Sequence, residues 1–172
     1  MQKSALLQPT YNLLASIVKE SYVRDGEFQS VPLAERQYAR TYFASGQDGS
    51  ADREALKRTI VTGGRAFLEQ QFDRHVDKTI AAHPTEAQLG GIPGIANKIR
   101  GYVDVKFGLG KHKLNLESVG GTYLWAQVYY LLRAGYPDEA LKTLQSSLNS
   151  LSHHDRLLEG WFKSWLDSQD RR

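Results

Sequence analysis

The sequence has no cysteine, one methionine and five prolines among its 172 residues, and each shortage excludes something. Without cysteine there is no disulfide framework, no thiolate zinc site and no iron–sulfur cluster. No apolar run approaches the ~20 residues a helix needs to cross a bilayer, and no secretory pattern occupies Met1 to Tyr11. An excess of one charge is missing too, since 22 Lys and Arg stand against 19 Asp and Glu, for a formal +3. These absences lead to the expectation of a soluble, intracellular domain.

What is present is globular in kind. The hydrophobic share is 41% and the charged share 24%, a balance that can build a core and that disordered chains lack. Apolar residues recur every three or four positions almost everywhere. Leu6, Leu7, Tyr11, Leu14, Ile17, Val18 and Tyr22 predict a helix starting near Pro9 and ending at Asp25-Gly26. Pro32 opens a shorter helix to Phe43, broken by Ser45 to Ser50. Ser50 or Asp52 caps a long helix towards Ala82, with Leu56, Ile60, Phe67, Leu68, Phe72, Val76 and Ile80 as its stripe. Gly63-Gly64 interrupts that stripe, so the helix kinks there or another backbone lies against it.

His83-Pro84 ends the long helix, and Gln88 to Gly94 forms a compact turn before a helix from Ile95 to about Val105. Residues 106–119 read as an exposed loop. A nearly all-apolar helix then ends at Ala134-Gly135, with Gln127 and Arg133 as its main polar positions. Pro137 starts another, whose stripe is Ala140, Leu141, Leu144, Leu148 and Leu151. A last helix, His153 to Ser168, carries Leu157, Leu158, Trp161, Phe162, Trp165 and Leu166. No segment reads as a strand. The reading is all-α: residues 1–172 as one helical region, an irregular α-helical solenoid fragment of about six to seven helices, part of a larger solenoid.

The search for chemistry finds little. There is no Gly-x-Ser-x-Gly elbow, and Gly63-Gly64-Arg65 and Gly108-Leu109-Gly110-Lys111-His112 both fail the phosphate-loop pattern. His153, His154, Asp155 and Glu159 could offer metal ligands, but adjacent histidines diverge on a helix and the segment reads as an exposed helix start. His75 with Asp77 is a weaker pair, and Glu69, Asp73 and Asp77 read as a solvated face. Only Lys106 to Lys113 and Asp170-Arg171-Arg172 are locally basic, without aromatic interleaving, so no direct nucleic-acid binding is expected. Trp125, Trp161 and Trp165 read as core. No catalytic, cofactor-binding or metal-binding residue is assigned, no cofactor is expected, and partner-binding residues stay unassigned.

Three stretches resemble a known family: Glu86-Ala87-Gln88-Leu89-Gly90-Gly91-Ile92-Pro93-Gly94, Leu124 to Gly135 (LWAQVYYLLRAG) and Trp161 to Arg172 (WFKSWLDSQDRR). In order and separation they are similar to the nucleoporin-interacting component family, the helical scaffold nucleoporins of the nuclear pore inner ring. Ala66-Phe67-Leu68-Glu69-Gln70 fits the stretch upstream. The resemblance implies an early part of a solenoid related to the ancestral coatomer element. It implies a non-enzymatic structural constituent of the nuclear pore complex at the nuclear envelope, linking neighbouring nucleoporins and supporting nucleocytoplasmic transport of protein and mRNA. The partners it implies are channel nucleoporins, large inner-ring scaffolds and a membrane-associated adaptor nucleoporin. The alternative is a tetratricopeptide-like peptide-binding adaptor, suggested by the tight Gly135 to Leu141 turn. Such repeats have no reason to contain Gln-Leu-Gly-Gly-Ile-Pro-Gly.

Overall fold

The computed structural model describes residues 2–18, 51–91, 94–108, 118–119 and 121–168. In chain order these form α1 (Gln2–Val18), α2 (Ala51–Ala82), α3 (Pro84–Ala87), α4 (Ile95–Phe107), α5 (Leu124–Arg133), α6 (Pro137–Ser146), a 3-10 turn (Leu148–Ser150) and α7 (His153–Asp167). Among the described residues there is no strand, only an isolated antiparallel bridge between Val119 and Thr122. The all-α reading holds. Tyr22, the Asp25-Gly26 stop, the Pro32 to Phe43 helix and the Ser45 to Ser50 break lie outside the described residues.

Helix α1 differs from expectation because Pro9 lies inside it. A proline there removes one i→i−4 bond, and residues 7–11 around it are exposed.

Where sequence reads one helical region, the chain divides into two compact units, residues 1–70 and 71–172. In the first, α1 lies directly on α2 at Gly63. A Cβ there would fall 2.8 Å from the Ser16 carbonyl oxygen and against the Ile17 Cα, while Gly64 faces open space. The Ser16 hydroxyl donates to the Gly63 carbonyl at 2.9 Å. Close approach, at the first glycine alone, is the outcome. Ala15 and Phe67 are buried, whereas Ile60 and Leu68, placed in the apolar stripe by spacing, are 47% and 64% exposed.

The second unit holds the main core. Phe72, Val76 and Ile80 from α2 join Ile99, Tyr102 and Val103 from α4, Leu124, Val128 and Leu131 from α5, and Ala140 and Leu144 from α6. Packing follows chain order: α3 meets α4, α4 meets α5, α5 meets α6 and α6 meets α7, with α4 also touching α6. That neighbour-by-neighbour stacking is the logic of a helical solenoid.

Two backbone devices fix the joints. The turn after α3 has positive φ at Gln88, Gly90, Gly91 and Gly94. It is tied to α4 by Asn97 Nδ2 donating to the Leu89 carbonyl at 2.6 Å and Arg100 Nη2 to the Gln88 carbonyl at 3.1 Å. Gly101 on α4 admits it, because a Cβ there would sit 2.8 Å from the Ala87 carbonyl oxygen. The α5–α6 joint closes at Gly135 (φ 86°), with Tyr136 N–H donating to Leu131 and Gly135 N–H to Leu132. This pair of bonds is a Schellman motif and reverses the chain in three residues.

Both described ends of the stretch 106–119, read as an exposed loop, differ from that reading. Lys106 and Phe107 complete the last turn of α4, Val119 is buried, and residues 109–117 lie outside those described.

Candidate functional site

The candidate metal residues do not converge. Ser152 caps α7, accepting from the Asp155 N–H at 3.3 Å and donating to its carboxylate at 2.6 Å, so Asp155 is occupied at the helix start. Glu159 accepts from Gln145 Nε2 at 2.7 Å, which joins α7 to α6. His153 is exposed, and the His154 side chain is not among those described. His75 packs edge-on to the Tyr102 ring at 5.8 Å. Among the described residues no three His, Asp or Glu side chains are arranged to hold a metal ion.

Asp73 and Asp77, read as a solvated face, instead share one lysine. Lys98 on α4 reaches Asp73 at 2.8 Å and Asp77 at 2.6 Å. Burial alone would lower the Lys98 pKa, but hydrogen bonds and charge from both aspartates outweigh it and raise it above the ordinary value. Asp104 moves up as well, because burial raises its carboxyl against the opposing pull of Arg100.

A ring cluster lies beside this clamp. Phe72 stacks on Tyr130 with centroids 5.6 Å apart, and Tyr102 meets Tyr130 edge-on at 5.1 Å. Two cations cover it: Lys106 Nζ lies 5.0 Å from the Tyr130 ring centre and Arg133 Cζ 4.8 Å from that of Phe72. The Tyr130 hydroxyl beside Lys106 raises its pKa, against burial. Of the two polar positions of α5, Arg133 stays at the surface. Gln127 does not: it is 7% exposed, and its Nε2 finds no hydrogen-bond partner among the described residues. The buried arc of α5 is centred near it, as an interior helix packed on more than one flank allows.

The third feature is apolar. Trp161 is 67% exposed, and Leu157 and Leu158 are exposed beside it. Spacing placed Trp161 in the core. The inner side of α7 is instead held by Phe162, which packs on the core and stacks on Trp165 at 5.6 Å, and a one-residue step of about 100° turns Trp161 outward. Leu157 and Trp161, four residues apart, form an outward stripe. Trp125 does pack against the core, half-buried.

Comparison with known proteins ties this stack to its relatives. The Nup93/Nic96 sequence profile matches residues 5–172. The chain belongs to the Nup93/Nic96 family. The nucleoporin NIC96 of Chaetomium thermophilum is 36% identical over 141 residues, covering 80% of this chain and 13% of that protein. The nuclear pore complex protein Nup93 of Danio rerio is 24% identical over 168 residues, covering 96% of this chain and 20% of its own length. The crystal structure of the Chaetomium thermophilum Nic96 SOL region superposes with a TM-score of 0.79 at 34% identity, over 95% of this chain and 22% of that one. This Nup93/Nic96-family chain thus spans about a fifth or less of the relatives it matches. The helical solenoid class read from periodicity agrees with that neighbour.

Sequence reasoning missed the Lys98 clamp and the covered ring cluster. Asp73 and Asp77 at a four-residue spacing signal a shared helix face. Nothing local signals that a lysine 25 residues on closes over it.

Proposed function

We propose that the chain is a structural segment of the nuclear pore complex at the nuclear envelope: a length of inner-ring scaffold nucleoporin that links neighbouring nucleoporins and so supports nucleocytoplasmic transport. It works by shape and surface, not by catalysis. Family membership over residues 5–172 is the observation that supports this, and the physical character of the chain agrees with it. Helices stacked neighbour on neighbour give a stiff body with long outer faces. A tetratricopeptide-like adaptor is the weaker reading, because the positive φ at Gln88, Gly90 and Gly91, with Gly101 packed against the Ala87 carbonyl and Leu89, is not a device such repeats need.

The test is a pulldown from nuclear-envelope extract with the tagged chain, read by mass spectrometry, together with imaging of a fluorescent fusion of the chain. Enrichment of nucleoporins and a nuclear-rim signal are expected. A folded chain that enriches no nucleoporin, with a fusion spread through the cytoplasm, would overturn the proposal.

A further inference from the structure

The second unit carries its charge unevenly around α2. At about 100° per residue, Asp73 and Asp77 lie on the flank that Lys98 bridges. His75 lies on the opposite flank, with Arg74 and Lys78 on the outer face between, Lys78 one turn on from His75 and Arg74 nearer the aspartates, and all three are exposed. His75 leans on Tyr102, and from there the ring cluster leads to Lys106 and Arg133. None of Arg74, Lys78, Lys106 or Arg133 pairs with a carboxylate among the described residues. At the edge stands Tyr129, 55% exposed and 5.0 Å from the Tyr130 ring.

We propose that this face, carrying Lys106 and Arg133 on the ring cluster with His75 and Lys78 beside it, docks an acidic segment of a partner protein, its carboxylates on Lys106 and Arg133 and an apolar side chain on Tyr129. The argument is charge complementarity on a preorganised surface. Cations resting on rings are already ordered, so less side-chain entropy is lost when a carboxylate arrives. A segregated cationic patch also steers an acidic partner in. Single-stranded nucleic acid fits less well, since it stacks bases on open ring faces and Phe72, Tyr102 and Tyr130 are buried. An anionic bilayer fits less well, since it needs several apolar side chains to insert beside the cations. The inference stands on the geometry of this unit and does not depend on the pore assignment.

The experiment is fluorescence anisotropy of the full chain with a labelled peptide of Asp and Glu flanking one Phe. The same peptide with Lys in place of the acids, a labelled oligouridine and phosphatidylserine vesicles serve as comparisons. The acidic peptide is expected to bind, to weaken as salt rises, and to lose at least tenfold in affinity with Lys106→Met or Arg133→Gln. Lys78→Gln, on an exposed position away from the rings, is expected to weaken it severalfold, and decides the matter if the ring-side variants fail to fold. Lys142→Gln, already paired with Glu139, is expected to change nothing. No binding of the acidic peptide, an equal loss with Lys142→Gln, or tighter binding of oligouridine or vesicles would overturn the proposal.

Discussion

Two adjacent glycines on α2 have opposite surroundings, and substitution should separate them. Gly63→Ala drives a methyl into the Ser16–Ile17 backbone, an overpacking that backbone cannot yield to, and is expected to destabilise by about 1–3 kcal/mol. Gly64→Ala meets nothing and removes a glycine from a helix interior, so it is expected to stabilise by about 0.5–1 kcal/mol. Urea unfolding of the two single variants checks this, and equal destabilisation would contradict the close approach of α1. A second contrast concerns large apolar residues. Leu144 is fully buried and Trp161 two-thirds exposed, so Leu144→Ala is expected to cost about 2–5 kcal/mol and Trp161→Ala less than about 1 kcal/mol. A large loss of thermal stability with Trp161→Ala would return that side chain to the core.

At the scale of the element, the contact that periodicity could not supply is the one joining α2 to α4. Lys98 is held above its ordinary pKa by Asp73 and Asp77, despite burial. A lysine whose folded pKa exceeds its unfolded value stabilises fully below the unfolded value, about 10.5, and loses that contribution as pH rises through the folded one. The urea midpoint of the wild type is therefore expected to fall as pH climbs past about 10.5, while Lys98→Met starts lower at neutral pH and falls less steeply over the same window. Parallel curves would show that the clamp contributes nothing. Helix boundaries were legible because capping and apolar spacing are local: His83-Pro84 stops α2 and Gly135 closes α5 as read. Which elements touch was legible only where glycine betrayed a close approach, and even there Gly101 looks like an ordinary helix weakness until the turn carrying Ala87 is seen against it. Lys98 and Asp73, separated by 25 residues, and the burial of Gln127, whose Nε2 has no partner among the described residues, leave no local trace, because burial on a helix with apolar residues on most sides does not depend on polarity alone.

At the scale of the molecule, what remains unbalanced is the outward stripe of α7. A stacked helical array buries each apolar face against the next element, yet Leu157, Leu158 and Trp161 stand exposed together in the described structure. The family's members are several times longer than this chain, so the stripe has room to be covered in them by further helices. On the isolated chain it is a patch that water disfavours, and such patches associate. Sedimentation velocity is therefore expected to show self-association rising with concentration for the wild type. Trp161→Glu places a charge in the centre of the stripe without entering the core, and is expected to shift the distribution towards monomer while leaving the melting temperature within a few degrees. A wild type that stays monomeric at high concentration would show the stripe to be tolerated by water. A Trp161→Glu chain that melts far below it would show instead that the indole packs inside the folded chain, and the account of which side of α7 faces the core would have to be reversed.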